Sequence, residues 1–121
     1  MKRTSEFVES LNEVFEQFGP VRAKRMFGGY GLYHDDLMFG LVADDVLYLK
    51  ADEETAALFA GRGLTPFEYE KQGKVQKMSY YLAPDEIFDD PESAREWAVR
   101  AFEAALRGRK PKPESKNRRK G

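Results

Sequence analysis

The sequence contains no cysteine and a single histidine, His34. Without thiols, the chain has no disulfide, no thiolate nucleophile and no cysteine-ligated zinc site. One imidazole is also too few for a histidine-rich metal site. We therefore expect neither a catalytic metal ion nor a bound cofactor.

Long apolar runs are missing as well. No stretch approaches the roughly 18 apolar residues that a membrane span requires. Met1, Lys2 and Arg3 are followed by Thr, Ser and Glu rather than by the apolar segment of a signal peptide. These features predict a cytoplasmic protein that does not contact a membrane.

The sequence shows no recognisable catalytic constellation. The adjacent carboxylates Asp35–Asp36 and Asp44–Asp45 are typical of tight turns, where neighbouring side chains point apart and stay hydrated. His34 precedes Asp35, but no serine lies in a nucleophile motif. Residues 28–31 are rich in glycine, yet they lead into a predicted strand rather than a helix. We expect no enzymatic activity, and a small-molecule site beside residues 27–30 is a remaining alternative.

The charge of the chain is unevenly distributed. Residues 1–106 carry 12 basic and 20 acidic side chains, a net charge of −8, whereas residues 107–121 carry eight basic and one acidic, a net charge of +7. The sequence thus predicts one domain at residues 1–106 and a disordered basic tail at residues 107–121. The candidate nucleic-acid residues of the tail are Arg107, Arg109, Lys110, Lys112, Lys116, Arg118, Arg119 and Lys120.

Two interpretations of this tail stay open. Its cations can neutralise phosphates and give salt-dependent, sequence-independent binding to nucleic acid. They can equally keep an acidic protein in solution, and no aromatic residue is interleaved to stack on bases.

Hydrophobic periodicity and turn residues predict a helix, four strands, a short helix, two strands and a helix. The first helix begins after Thr4 or Ser5 and ends at Phe18, and the second follows Asp52. The third helix begins at Asp90, with Pro91 in its first turn, and ends at Gly108. The strands are predicted at residues 21–26, 30–33, 38–43, 46–50, 65–70 and 75–82.

This order lacks the regular strand–helix alternation of a parallel sheet. It predicts an α+β fold with two layers, in which an antiparallel β-sheet carries the two long helices on one face. Residues 21–26 read as an exposed edge strand, which must be protected by its charges or paired with a second copy of the chain. A homodimer is therefore an alternative to a monomer.

Aromatic residues are more numerous than a small core usually needs, with nine Phe and six Tyr. Most are expected to pack in the core or along strand edges, and the remainder can form a sheet face that binds a partner, because aromatic residues and Arg favour interface hot spots. The candidate interaction residues are Arg22, Lys24, Arg25, Phe27 and Tyr30.

Several motifs resemble the N-terminal domain of the TfoX/Sxy family. They are the run Arg-Met-Phe-Gly-Gly-Tyr-Gly-Leu-Tyr at residues 25–33, Met-Phe-Gly-Leu-Val at 38–42, Leu-Tyr-Leu-Lys at 47–50, Pro-Phe-Glu-Tyr at 66–69 and Met-Ser-Tyr-Tyr at 78–81. The resemblance covers roughly residues 5–106 and follows the order of the family motifs.

The resemblance implies a fold similar to secretion chaperones and a link to regulators of natural-competence genes. It implies a protein partner in the transcription machinery or a regulator, such as the cyclic-AMP receptor protein with which better-known members act. It supplies no catalytic residues. Those regulators carry a second, C-terminal domain, and because only residues 107–121 follow the last predicted domain residue, we expect a stand-alone N-terminal domain.

Overall fold

Six β-strands and three α-helices make up the part of the chain that the structure, a computed structural model, describes: residues 6–26 and 28–109. A 3₁₀ turn at Asp85–Phe88 precedes the last helix. In chain order the elements are α1 Glu6–Val14, β1 Arg22–Met26, β2 Gly29–His34, β3 Leu37–Ala43, β4 Val46–Lys50, α2 Ala56–Ala60, β5 Pro66–Lys71, β6 Lys74–Leu82 and α3 Pro91–Gly108. The predicted order of elements is confirmed.

The six strands form one antiparallel sheet in the order β1-β2-β3-β4-β6-β5. The first four strands are a meander, and β6 then pairs with β4 and leaves β5 at the far edge. The α+β fold with an antiparallel sheet is therefore confirmed.

Three of the hairpins close through two residues that both have positive φ angles. Such turns match the right-handed twist of antiparallel strands, and short polar residues and glycine tolerate them best. The pairs are Asp35–Asp36 (52° and 63°), Asp44–Asp45 (52° and 60°) and Gln72–Gly73 (54° and 81°). The aspartate pairs are thus turn residues, as predicted, and His34 ends β2 rather than lying in the turn.

The helix α1 ends at Val14, four residues before the predicted end at Phe18. The chain then tightens into turns, because the amides of Glu16 and Phe18 bond to carbonyls three residues earlier, at 3.2 and 2.9 Å. Unpaired groups at helix ends are commonly satisfied in this way. The turns carry Phe15 and Phe18 to Phe39, with ring centroids 5.7 and 5.1 Å away.

A stripe of alanines brings α3 close to the centre of the sheet. Ala94, Ala98 and Ala101 are fully buried, and Trp97 is 4% exposed. The small side chains let the helix pack on β3 and β4, where Phe39 and Leu49 complete the core. The helical spacing of apolar residues in the sequence predicts a buried stripe of Ala94, Trp97, Ala98, Ala101, Phe102 and Ala105, and all of these except the partly buried Phe102 are buried.

Glu86 joins three segments around that helix. Its carboxylate accepts hydrogen bonds from Arg62 (2.6 Å), from the hydroxyl of Ser93 (2.6 Å) and from the indole of Trp97 (3.4 Å). The bond from Arg62, followed by that from Ser93, lowers the pKa of Glu86 to about 2. Glu86 therefore connects the segment after α2 to the first turns of α3.

The last helix extends past the predicted boundary between domain and tail, which lies after residue 106. It continues through Gly108, so Arg107 and Gly108 are helical. Residues 110–121 lie outside the described residues, and the predicted disorder there stays a prediction. In the described part of the chain, no helix is both long and apolar enough to cross a membrane.

Replacing Gly29 with Ala should destabilise the fold more than replacing Gly28. A Cβ at Gly29 would overlap the backbone carbonyl oxygen of Val42, which cannot move without breaking the sheet. Gly28 has a φ angle of 77° but no atom within 4 Å of an added Cβ. We expect a loss of about 3 kcal/mol for Gly29→Ala and about 1 kcal/mol for Gly28→Ala in urea unfolding. Equal losses would contradict the close approach of β2 and β3.

Replacing Glu86 with Gln should change how stability depends on pH. The pKa of the folded state, about 2, lies below the ordinary value of 4.5. The charged carboxylate therefore stabilises the fold above pH 4.5, and this contribution is lost as the pH falls towards 2. We expect Glu86→Gln to have a lower Tm at neutral pH and the difference from the parent to shrink in acid.

Asp85→Asn is the matched control, because the described residues give Asp85 no hydrogen bond or ion pair. Its Tm should follow the parent over the same pH range. A constant difference between Glu86→Gln and the parent would mean that the carboxylate charge is not what stabilises this junction.

Candidate functional site

The pleat of the sheet divides the aromatic residues between two environments. Successive side chains of a strand point to opposite faces. Tyr30 and Leu32 pack against the core beneath the helices, so Gly31 and Tyr33 lie on the other side of β2. All three described helices contribute to the core side. We call the opposite side the uncovered face.

Five aromatic residues lie on this uncovered face. Tyr33 and Tyr80 alternate with the core residues Leu32 and Tyr81 along their strands. The remaining three contact one another, with ring centroids 5.0 Å apart for Tyr48 and Phe67 and 6.2 Å apart for Phe67 and Tyr69. The aromatic residues of the face are Tyr33, Tyr48, Phe67, Tyr69 and Tyr80.

Sulfur-containing and aliphatic side chains fill the space beside these rings. An added Cβ at Gly31 would lie 3.1 Å from the sulfur atoms of both Met26 and Met38. Leu41 pairs with both Gly31 and Tyr48 and is 2% exposed. The uncovered face is therefore apolar across its centre.

Two lysines cover tyrosine rings on this face. The Nζ atom of Lys24 lies 5.1 Å from the centroid of Tyr33, and that of Lys50 lies 5.2 Å from the centroid of Tyr80. Both distances suit cation–π attraction. Burial, together with a smaller contribution from the nearby Tyr33, raises the pKa of Tyr80 to about 12. Tyr80 thus stays neutral at physiological pH.

The strand residues that project to the uncovered face carry charges of one sign. Arg22, Lys24 and Lys50 project there, and Arg22 also pairs with Asp36 in the next turn at 3.2 Å. Glu68 and Glu70 are the acidic residues of the six described strands, and the register places both on the helix side. The strands thus give this face basic side chains and no acidic ones.

The pleat also splits the predicted interaction residues. Arg22 and Lys24 lie on the uncovered face, whereas Arg25 is exposed on the helix side, opposite Tyr30. Tyr30 packs against the core, and Phe27 lies outside the described residues. The structure therefore does not bring the predicted set together on one surface.

The uncovered face includes residues that the sequence-based set omitted. Its tyrosines were noted only as surplus aromatics, and Lys50, Leu41 and the methionines were not singled out. Alternation from a residue known to be in the core would have placed most of them. In the central strand β3, which is apolar throughout, the sequence alone does not identify a residue that must lie in the core.

Arg107 has a structural partner that the sequence did not predict. Its guanidinium donates to Asp52 at 2.6 Å and lies 3.3 Å from a carboxylate oxygen of Glu54. The bond from Arg107 lowers the pKa of Asp52. The ion pair joins the end of α3 to the turn before α2, so Arg107 belongs to the folded part of the chain, and its role in binding nucleic acid stays a prediction.

The surroundings of His34 are a backbone carbonyl and two aromatic rings. The Nδ1 atom of His34 donates to the Pro20 carbonyl at 2.8 Å, and its ring lies between Phe18 and Phe102, with centroids 4.5 and 5.1 Å away. A groove of about 560 Å³ is lined by none of the residues 28–30, beside which the sequence left a small-molecule site as an alternative. It lies between the end of α3 and residues of β4 and β6 that include Lys50 and Ser79.

Comparison with known proteins places this chain among relatives of one kind. It is 29% identical over 115 residues to the DNA transformation protein TfoX1 of Aliivibrio fischeri, an alignment that covers 95% of this chain and 55% of that protein. It is 26% identical to Protein Sxy of Escherichia coli, with 78% of this chain and 46% of that protein covered. For the DNA transformation protein TfoX of Haemophilus influenzae, identity is 28% and the coverages are 88% and 50%.

The chain spans about half the length of these curated relatives. The family model of the TfoX N-terminal domain matches residues 13–105, which include every described strand and most of α3. The chain belongs to the TfoX N-terminal domain family.

Proposed function

We propose that this chain is a non-enzymatic regulatory domain that acts by binding another protein through the uncovered face. The proposal rests on the uncovered face itself, which is an apolar surface with five aromatic residues on the side of the sheet away from the helices. Tyrosine-rich apolar patches with a polar rim are typical of protein interfaces. The relatives named as DNA transformation proteins support a regulatory role.

The groups with shifted pKa values support an architectural rather than a catalytic use of charge. Asp52 is held by Arg107 and Glu86 by Arg62, Ser93 and Trp97, and both sites join helical segments. Tyr80 is shifted chiefly by burial. These groups lie in three separate places rather than converging on one cleft, as an acid–base pair would require.

A variant of the exposed aromatic Tyr69 tests this proposal. Tyr69 is 39% exposed, so Tyr69→Asp adds a carboxylate to the apolar face without emptying the core. We expect a strain carrying Tyr69→Asp to show the transcript profile of a strain that lacks the protein. The measurement is RNA sequencing of deletion strains complemented with each variant.

Val75→Asp provides the matched control. Val75 lies in the same β5–β6 hairpin, is 65% exposed and projects to the opposite side of the sheet. It should restore the parental profile. If Tyr69→Asp restores it equally well, the uncovered face is not the regulatory surface.

Binding of nucleic acid by the tail is the second candidate, favoured by the net charge of +7 over residues 107–121. Because Arg107 is paired, truncation after Gly108 is the appropriate deletion, and it removes seven basic residues. If all seven contact phosphates, the logarithm of the association constant for mixed duplex DNA should fall with a slope of about −6 against the logarithm of salt concentration.

Titration of labelled duplex DNA with the full chain and with the truncated chain measures this slope. The tail interpretation requires the full chain to bind at low salt and the truncated chain to lose that affinity. Salt-independent binding, or binding retained after truncation, would contradict it.

A further inference from the structure

We infer that the uncovered face recognises an acidic amphipathic segment of its partner, in which apolar side chains are flanked by Asp or Glu. This inference rests on the proposed function and specifies the chemistry of the partner. The uncovered face combines an apolar centre with cations on two sides. Lys24 lies over Tyr33 near the β1 edge, and Lys50 lies over Tyr80 where β4 meets β6.

The charges of α1 and of the strands are distributed unevenly between the two sides of the sheet, while arginines such as Arg62 and Arg107 also lie on the helix side. The exposed helix α1 carries Glu6, Glu9 and Glu13, and Glu68 and Glu70 project to the same side of the sheet as the helices. The other side carries Arg22, Lys24 and Lys50. A body with a net charge of −8 thus keeps cations around its apolar surface. Electrostatic complementarity then selects a partner surface with negative charges.

The same charges disfavour three other occupants. A second copy related by two-fold symmetry would bring together two copies of a face whose strand residues carry only positive charges. Residues 1–5 contain Lys2 and Arg3 and no acid, and residues 110–121 contain six basic residues and one acid. Neither end of this chain therefore complements the face.

The ring geometry favours a protein segment over single-stranded nucleic acid. Stacking of bases requires open ring faces. Tyr80 is 7% exposed, the rings of Tyr33 and Tyr80 lie under lysines, and Tyr48 packs against Phe67 at an interplanar angle of 66°. Met26 and Met38 add flexible, polarisable surface that adapts to aliphatic side chains.

Three fluorescein-labelled synthetic peptides of equal length probe this chemistry with the full chain. Leu alternates with Glu in the first, with Lys in the second and with Ser in the third. We expect the Leu/Glu peptide to bind about tenfold more tightly than the Leu/Ser peptide, and the Leu/Lys peptide to bind most weakly. Fluorescence anisotropy at two salt concentrations measures affinity and its electrostatic part.

A charge reversal separates recognition from a general effect on folding. The double variant Lys24→Glu with Lys50→Glu should bind the Leu/Lys peptide more tightly than the Leu/Glu peptide, which loss of structure cannot produce. Arg25→Glu is the matched control, because Arg25 is also exposed and adjoins Lys24 but lies on the other side of β1. It should keep the preference of the parent.

Several outcomes would overturn the inference. One is equal affinity for the three peptides, and another is a preference unchanged by the double variant. Tighter binding of labelled oligothymidylate, lost in Lys24→Glu, would identify a nucleic-acid platform instead. Self-association in sedimentation that is lost in Tyr69→Asp would identify a second copy as the occupant.

The transcript experiment tests the proposed function and the peptide experiments test the partner chemistry, so either claim can fail without the other. If Tyr69→Asp abolishes regulation while the peptides show no charge preference, the proposed function stands and the acidic partner is wrong. If Tyr69→Asp restores regulation, the proposed function fails whichever peptide binds.

Discussion

One sheet with all its described helices on one side is the constraint on which the rest of this structure depends. The small side chains of Ala94, Ala98 and Ala101 let α3 lie against the middle strands, and α1 adds Val8 and Leu11 to the same core. The apolar residues of the other side must then cover one another. Leu41 and Tyr80 reach 2% and 7% exposure among neighbouring strand residues. The uncovered face is thus partly self-buried and still apolar at its surface.

An irregularity in the pairing of β2 with β3 decides which residues belong to each side. Tyr33 pairs with Met38 and Leu32 with Gly40, so Phe39 is an extra residue on β3. A bulge of this kind shifts the alternation of the strand. Phe39 enters the core beside Phe15, while Met38 and Leu41 both remain on the uncovered face. One inserted residue therefore helps to supply both the core and the uncovered face.

The sequence predicted those features that have strong local signals. The aspartate turns, the Asp90–Pro91 helix start and the alanine stripe of α3 all depend on neighbouring residues, and the structure shows each of them. The end of α1 was misplaced because the turns that follow it serve the packing of Phe15 and Phe18 rather than a local preference. The predicted interaction residues did not separate the two sides of the sheet, and a bulge in the apolar run of β3 leaves no signal in hydrophobicity.

The two sides of the sheet also explain why the predicted interaction residues differ from the residues of the uncovered face. Lys24 and Arg25 are adjacent in sequence and similar in chemistry, yet the pleat sends them to opposite sides. Tyr30 and Tyr33 are likewise separated, one into the core and the other beneath Lys24. Cations that look like one basic cluster in the sequence are thus divided, and only some of them lie beside the apolar centre of the uncovered face. Because an apolar contact excludes water, a carboxylate that meets Lys24 or Lys50 at its margin is screened less than one at an open surface. In the proposed binding mode, the side of the sheet, rather than the number of basic residues, therefore determines which partner chemistry the face selects.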